Sequence, residues 1–150
     1  MESPGGLEMV EPVSRGSPVR RSTVDLRIRY AETDQMGKAH HMNYLSWLEC
    51  GRSELLRANG ISYAELERAG VQLRVTSVGI EHRQSAGYDE EVRVWTDLGE
   101  VRSCTLTFSH EVRRAVDGGL LARGHAAVVC TDRDGRTRSI PGRIVRSLVG

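Results

Sequence analysis

Apolar and polar residues alternate from residue 24 to residue 30, VDLRIRY. Val24, Leu26, Ile28 and Tyr30 fall on one side, and Asp25, Arg27 and Arg29 on the other. A period of two predicts a strand with one buried face. The period then changes. From about residue 43 to residue 59, Tyr44, Trp47, Leu48, Gly51, Leu55 and Ala58 share one stripe at helical spacing, with Leu45 and Leu56 beside it. Asn43 is placed to cap the start of this helix, and Asn59-Gly60 is a typical stop. Residues 62–70, SYAELERAG, predict a short second helix ending at Gly70.

The remaining chain reads as strand. VQLRVTSVGIEHRQSA is long, with Gly79 expected at a bulge or bend. EVRVWTDL alternates. SCTLTFSHEVRRAV places Cys104, Leu106, Phe108, His110 and Val112 on one side. LLARGHAAVVCTD carries Gly124, Ala126 and Ala127, small residues that let a neighbour pack close. TRSIP predicts a last short strand ended by Pro141. Turn residues stand between these segments, at 98–100, 117–119 and 132–135. The order is one strand, one long helix, then four or five antiparallel strands: an α+β domain whose single helix covers one face of the sheet. Burial at roughly 25 cal/mol per Å² outweighs the helix penalty of Gly51, about 1 kcal/mol. Gly51 and Ser53 near the helix middle therefore fit a helix gripped by a curved sheet. Outer strands leave unpaired edges, and only 2 Trp, 4 Tyr and 1 Phe are available to build a core. Pairing with a second copy is the economical remedy.

Composition removes several function classes. Residues 1–22 hold three of the four prolines and no periodicity, and lack the apolar stretch of a secretory signal. They read as a disordered extension ahead of one domain over 23–150. Glu2, Glu8 and Glu11 offset its arginines, which weighs against a basic binding tail. A formal net charge of +1 gives no global attraction for nucleic acid or membrane. Arg20-Arg21 and Arg113-Arg114 are too short for a nucleic-acid stripe. No apolar run approaches the about 18 residues of a membrane span. Cys50, Cys104 and Cys130 have no CxxC spacing and read as reduced, buried thiols in a cytoplasmic protein.

The usual motifs of chemistry are missing. There is no G-x-S-x-G, no P-loop and no G-x-G-x-x-G. His40 and His41 are adjacent and point apart, so no metal site is expected, and no feature calls for a cofactor. His82, His110 and His125 are scattered along strands and read as sheet histidines. What remains is YAETDQMGKAHHMNY, residues 30–44, with Asp34, Gly37 and His41 just before the long helix. Gly37 permits a tight turn at positive φ. A helix start offers free N–H groups and the positive end of the dipole. It can hold an oxyanion while a nearby carboxylate attacks or activates water. The plain alternative is that Asp34 is a turn residue and His41 a dipole partner, and spacing alone favours that alternative. Glu32, two residues before Asp34, is a minor rival base.

The stretch YAETDQMGKAHHMNYLSWLECGRSELLRANGISY resembles the start of the 4-hydroxybenzoyl-CoA thioesterase/acyl-CoA thioesterase family of the hotdog fold. The shared pattern is a strand, Asp-x-x-Gly, a histidine seven residues after the aspartate, Asn-Tyr, and a helix. SAGYDEEVRV resembles that family's small-x-Tyr-Asp entry to a middle strand. The likeness spans about residues 24–145. It implies a hotdog, with a five-stranded antiparallel sheet wrapped round one long helix, assembled as a homodimer or homotetramer with the active site at the subunit interface. It implies that Asp34 is the catalytic nucleophile or general base, that the backbone N–H near His41 polarises the thioester carbonyl, and that the His41 side chain assists. Gly37 and Tyr44 would contact substrate, Tyr44 by lining the acyl pocket. Arg102 and Arg138, with Arg136 close by, stand where the family places cations for coenzyme A phosphates. The implied substrate is acyl-CoA; a carrier-protein thioesterase and a non-catalytic acyl-CoA binding module are the alternatives. A hotdog dehydratase would need an Asp and a His on the long helix, and neither occurs between residues 43 and 59.

Overall fold

A computed structural model describes residues 17–150. Nine elements follow in chain order: β1 (Arg21–Arg27), a 3-10 turn (Tyr30–Glu32), α1 (Asn43–Ala58), α2 (Tyr63–Arg68), β2 (Gln72–His82), β3 (Glu91–Val101), β4 (Thr105–Arg114), β5 (Leu120–Thr131) and α3 (Gly142–Val149). The strands form one sheet in the order β1-β3-β4-β5-β2. Every neighbouring pair is antiparallel. The helix α1 lies against one face, mainly over β1 and β3. This is the expected α+β hotdog architecture.

Packing follows the two periods. Tyr44, Trp47, Leu48, Gly51 and Leu55 of α1 are buried, as the stripe predicts, and so is Leu56 beside it, whereas Ala58 and Leu45 are exposed. Leu106, Phe108, His110 and Val112 are the buried side of β4. Leu48 packs against Gly124, which is why β5 is small there. Gly51 brings the helix down onto β3: a Cβ at this position would run into Thr96 Oγ1 and stand 3.0 Å from Val94 Cγ1.

A polar row divides the core. Ser22, Thr96, His110 and Gly124 are successive cross-strand partners on β1, β3, β4 and β5. One apolar cluster, including Tyr44, Trp47, Val94 and Val112, lies on one side of it. The other, including Leu55, Leu106, Phe108 and Leu148, lies on the other side. His110 Nδ1 is 3.0 Å from Thr96 Oγ1. His110 Nε2, Ser22 Oγ, and Arg52 Nε and Nη1 are buried without a hydrogen-bond partner. Burial, reinforced by the Arg52 charge, pulls the His110 pKa down from 6.5 to about 4.

Several local expectations are corrected. The first strand begins at Arg21 and ends at Arg27, so it takes in part of the expected extension. Asn59 fastens that segment: its side chain accepts from the Val19 N–H at 2.9 Å and donates to the Val19 carbonyl at 2.8 Å. The rest of the expected extension, residues 1–16, lies outside the described residues. Tyr30 leaves the strand pattern for the 3-10 turn and is 78% exposed. Asn43 does not cap α1; its amide points back and donates to the Glu32 carbonyl at 2.8 Å. The β2 irregularity falls between Val75 and Ser77 rather than at Gly79. Gly79 instead makes room for the His125 ring across the strand pair. TRSIP is not a strand; only Thr137 bridges, to Thr131. Beyond Pro141 the chain turns into α3, which buries Ile144 and Leu148. Cys50 is exposed on the outer side of α1, while Cys104 is half-buried and Cys130 buried. No helix among the described residues is long and apolar enough to cross a membrane.

Two outcomes follow. Gly51→Ala destabilises the fold by about 1–3 kcal/mol in chemical denaturation, despite the better helix propensity of alanine, because overpacking outweighs a gain of about 1 kcal/mol. His110 makes stability depend on pH. The unfolded chain takes up a proton below 6.5 while the folded chain resists until about 4. Its contribution is therefore complete above pH 6.5 and is lost as pH falls toward 4, up to about 3 kcal/mol. Denaturation of His110→Gln beside the wild type between pH 7 and 4 reads this directly, since the variant lacks that component of the slope.

Candidate active site

The segment between β1 and α1 is a small hairpin. Thr33 bridges Ala39. The Asp34 N–H donates to the Lys38 carbonyl at 2.8 Å, and the Gly37 N–H donates to the Asp34 carbonyl at 3.0 Å. Gly37 closes this turn at φ 77°, where a side chain is strained. The hairpin is stitched sideways to the segment before β3. Lys38 bridges Gly87. The Ala39 N–H donates to the Ala86 carbonyl at 2.8 Å, and the Tyr88 N–H to the Gly37 carbonyl at 3.2 Å. SAGYDEEVRV thus supplies the neighbouring backbone.

Asp34 stands at the hairpin tip, exposed in the single chain. Its Oδ1 accepts from the Met36 and Lys38 N–H groups at 2.9 and 3.1 Å. These two bonds fix the carboxylate and leave Oδ2 without a described partner. The turn role and a chemical role are therefore compatible: one oxygen serves each. Glu32 is differently placed. Its Oε1 accepts from the Arg29 N–H at 2.8 Å, and its Oε2 lies 3.4 Å from Arg29 Nη2 and 3.5 Å from Trp47 Nε1. Burial alone would raise its pKa, but these hydrogen bonds and the Arg29 charge hold it below the ordinary range. Both Glu32 oxygens are engaged, which suits anchoring the helix better than proton transfer.

The hairpin runs directly into the helix start. The His40 N–H donates to the Glu32 carbonyl at 2.8 Å, and the His40 and His41 carbonyls accept from the Asn43 and Tyr44 N–H groups. His40 Nδ1 accepts from the Met42 N–H at 3.2 Å, just ahead of the first turn of α1. The His41 N–H donates to no partner among the described residues, so an unpaired amide stands at the positive end of α1.

Five rings, joined by four contacts, lead from there into the core. The two adjacent histidines do not point apart as expected: His40 stacks on His41 at 4.6 Å between centroids. His41 meets His82 edge to face at 6.3 Å. His82 meets Tyr44 edge to face at 4.7 Å, and Tyr44 packs on Trp47 at 4.4 Å. Burial raises the Tyr44 pKa. His82 ends β2 and had read as one more sheet histidine; sequence spacing cannot show that it folds back onto residues 41 and 44. Among the described residues no group of three His, Cys, Asp or Glu side chains is arranged to hold a metal.

Arg102 and Arg138 are not brought to this place within one chain. Arg102 follows the far end of β3, an 11-residue strand whose near end abuts the hairpin, so roughly 35 Å separates them. The two arginines do share that far end. The Arg138 N–H donates to the Cys130 carbonyl, and the Cys130 N–H to the Cys104 carbonyl. Arg102 is paired with Glu100 at 3.1 Å. Arg138 Nε donates to the Ser139 carbonyl at 3.0 Å.

The profile of the thioesterase-like superfamily matches residues 28–148. The putative acyl-CoA thioesterase YneP of Bacillus subtilis is 30% identical over 113 residues, covering 75% of this chain and 81% of that protein. Among solved structures, the hypothetical protein TT1821 of Thermus thermophilus superposes with a TM-score of 0.81 at 38% identity, over 85% of this chain and 96% of the other. The DHNA-CoA thioesterase of Staphylococcus aureus also reaches 0.81, at 27% identity, over 85% and 87%.

Proposed function

The chain belongs to the thioesterase-like superfamily, and we propose that this thioester hydrolase cleaves acyl-CoA to a free acid and coenzyme A, with Asp34 as the reacting carboxylate. One observation carries the residue assignment. Asp34 is held by two backbone amides through Oδ1, keeps Oδ2 free, and sits on the hairpin that delivers an unpaired His41 N–H to the start of α1. Carboxylate and oxyanion donor are the two groups that thioester cleavage needs.

The steps balance in either of two ways. As a base, Oδ2 takes a proton from water as the hydroxide equivalent adds to the thioester carbonyl carbon. The oxyanion that forms is met by the His41 N–H. Collapse breaks the C–S bond, and the thiolate leaves with the proton that Asp34 held. As a nucleophile, Oδ2 adds to the carbonyl carbon itself, the thiolate departs, and water then opens the mixed anhydride. The His41 ring stands beside either oxyanion. Gly37 gives the turn its shape, and Tyr44 offers an apolar wall for the acyl group.

An exposed carboxylate needs a second wall, and a second copy supplies it. The strand β2 is an outer strand with one free edge, and Val75 and Val78 are exposed along it. Antiparallel pairing of β2 with its own copy would set the His82 end of one chain beside the Gln72 end of the other. Gln72 pairs with Thr131, which bridges Thr137. A partner's Arg138 and Arg102 would thereby approach the helix start, where coenzyme A phosphates need cations. A non-catalytic acyl-CoA binding module would use the same groove and differs only in releasing no thiol.

Asp34→Ala and Asp34→Asn lower turnover at least about a hundredfold in a thiol-trapping assay over a panel of acyl-CoAs, with fold and assembly unchanged. Full activity in both removes Asp34 from the mechanism. Single turnover in ¹⁸O water tests the nucleophilic route: label entering the Asp34 side chain requires a mixed anhydride opened at the Asp34 carbon, which the base route never forms. Val78→Asp gives monomers by analytical ultracentrifugation, and activity falls with them.

A further inference from the structure

We propose that His82 is a positioning residue whose ring, braced on buried Tyr44, sets the orientation of the His41 imidazole. The inference rests on the reading of His41 as part of the hydrolytic site.

His41 has few restraints on its ring. Its side chain is exposed, and it makes no hydrogen bond among the described residues. Two ring contacts remain. His40 stacks on it with an interplanar angle of 22°, and His82 meets it at 85°. The His40 ring, exposed as the His82 ring also is, has its one hydrogen bond to the Met42 N–H at 3.2 Å and rests on no buried ring among the described residues, so it cannot fix His41 against the body of the protein. His82 can. It ends β2 with its backbone in register with Ala122 of β5, and its ring stands at 86° to Tyr44, 4.7 Å away. Tyr44 is 3% exposed and packs on Trp47, also 3% exposed. The ladder from Trp47 through Tyr44 and His82 to His41 is thus the described route by which the buried core restrains the His41 ring. Edge-to-face contacts at these separations are attractive and directional. A ring misplaced by about 1 Å at a reacting centre can cost about a hundredfold. His82 does not touch the carbonyl carbon in this scheme; it acts through His41.

The experiment uses the full chain with hexanoyl-CoA or benzoyl-CoA, whichever the wild type turns over faster. His82→Ala lowers kcat about tenfold with KM within about twofold. His82→Phe, which keeps an aromatic edge and loses the nitrogens, restores kcat to within about threefold of wild type. The double variant His41→Ala/His82→Ala is no slower than His41→Ala alone, because His82 acts only through that ring. In ¹³C-edited spectra the His41 ring resonance moves in His82→Ala and stays near its wild-type position in His82→Phe. The proposal is overturned by unchanged kcat in His82→Ala, by His82→Phe being as slow as His82→Ala, or by a full further loss in the double variant. Failure of the hydrolytic reading looks different: His41→Ala and Asp34→Ala would themselves leave turnover intact.

Discussion

The close approach of α1 to β3 is the constraint on which the rest of the molecule depends. It exists because residue 51 has no side chain, so the helix backbone can rest on Thr96 and Val94. With the helix seated at that height, Tyr44, Trp47 and Leu48 enter one apolar cluster and Leu55 and Leu56 the other. The start of the helix is thereby set against the hairpin of residues 33–39 and the end of β2. A side chain at residue 51 would lift or tilt α1, and the displacement would reach both ends of its 16 residues.

The same contact explains the polar row. Where the helix presses closest, the sheet offers Thr96 and His110 instead of large apolar groups. Thr96 Oγ1 meets a neutral imidazole, and the Arg52 charge on the adjacent helical position helps keep that imidazole neutral. Buried polar groups left partly unpaired cost stability. The two apolar clusters on either side must offset that cost, which is consistent with fully buried Leu55, Leu56, Leu106 and Leu121.

Much of this was legible from residue order, and the exceptions have physical causes. The strands of the sheet and α1 follow from periods of two and 3.6, because a buried face must repeat with its element. The helix α3 was hidden because Pro141 reads as a terminator; yet it precedes a turn of helix whose Ile144 and Leu148 bury four residues apart. Asn43 shows the limit of cap signals. Its side chain found the Glu32 carbonyl, a group that only the fold brings near. Asp34 was singled out by its place before the helix start, but only the family pattern favoured a chemical role over a turn role, since its turn geometry is what any aspartate in such a hairpin would adopt. His82 was invisible because 41 positions of sequence separate it from His41, and no local rule spans that gap. Arg102 and Arg138 were legible as cations, but their distance from Asp34 in one chain is a property of strand length that their types do not carry.

The hairpin that carries Asp34 is bonded along both flanks, to itself through Thr33 and Ala39 and to the neighbouring segment through Lys38 and Gly87. It is a miniature sheet, not a lid. The side chain at its tip gives up its rotameric freedom once, when the chain first folds; on the proposed role of Asp34, that entropy need not be surrendered again with each arriving molecule. Adaptation to new acyl groups can then proceed by changing the walls while the tip stays as it is.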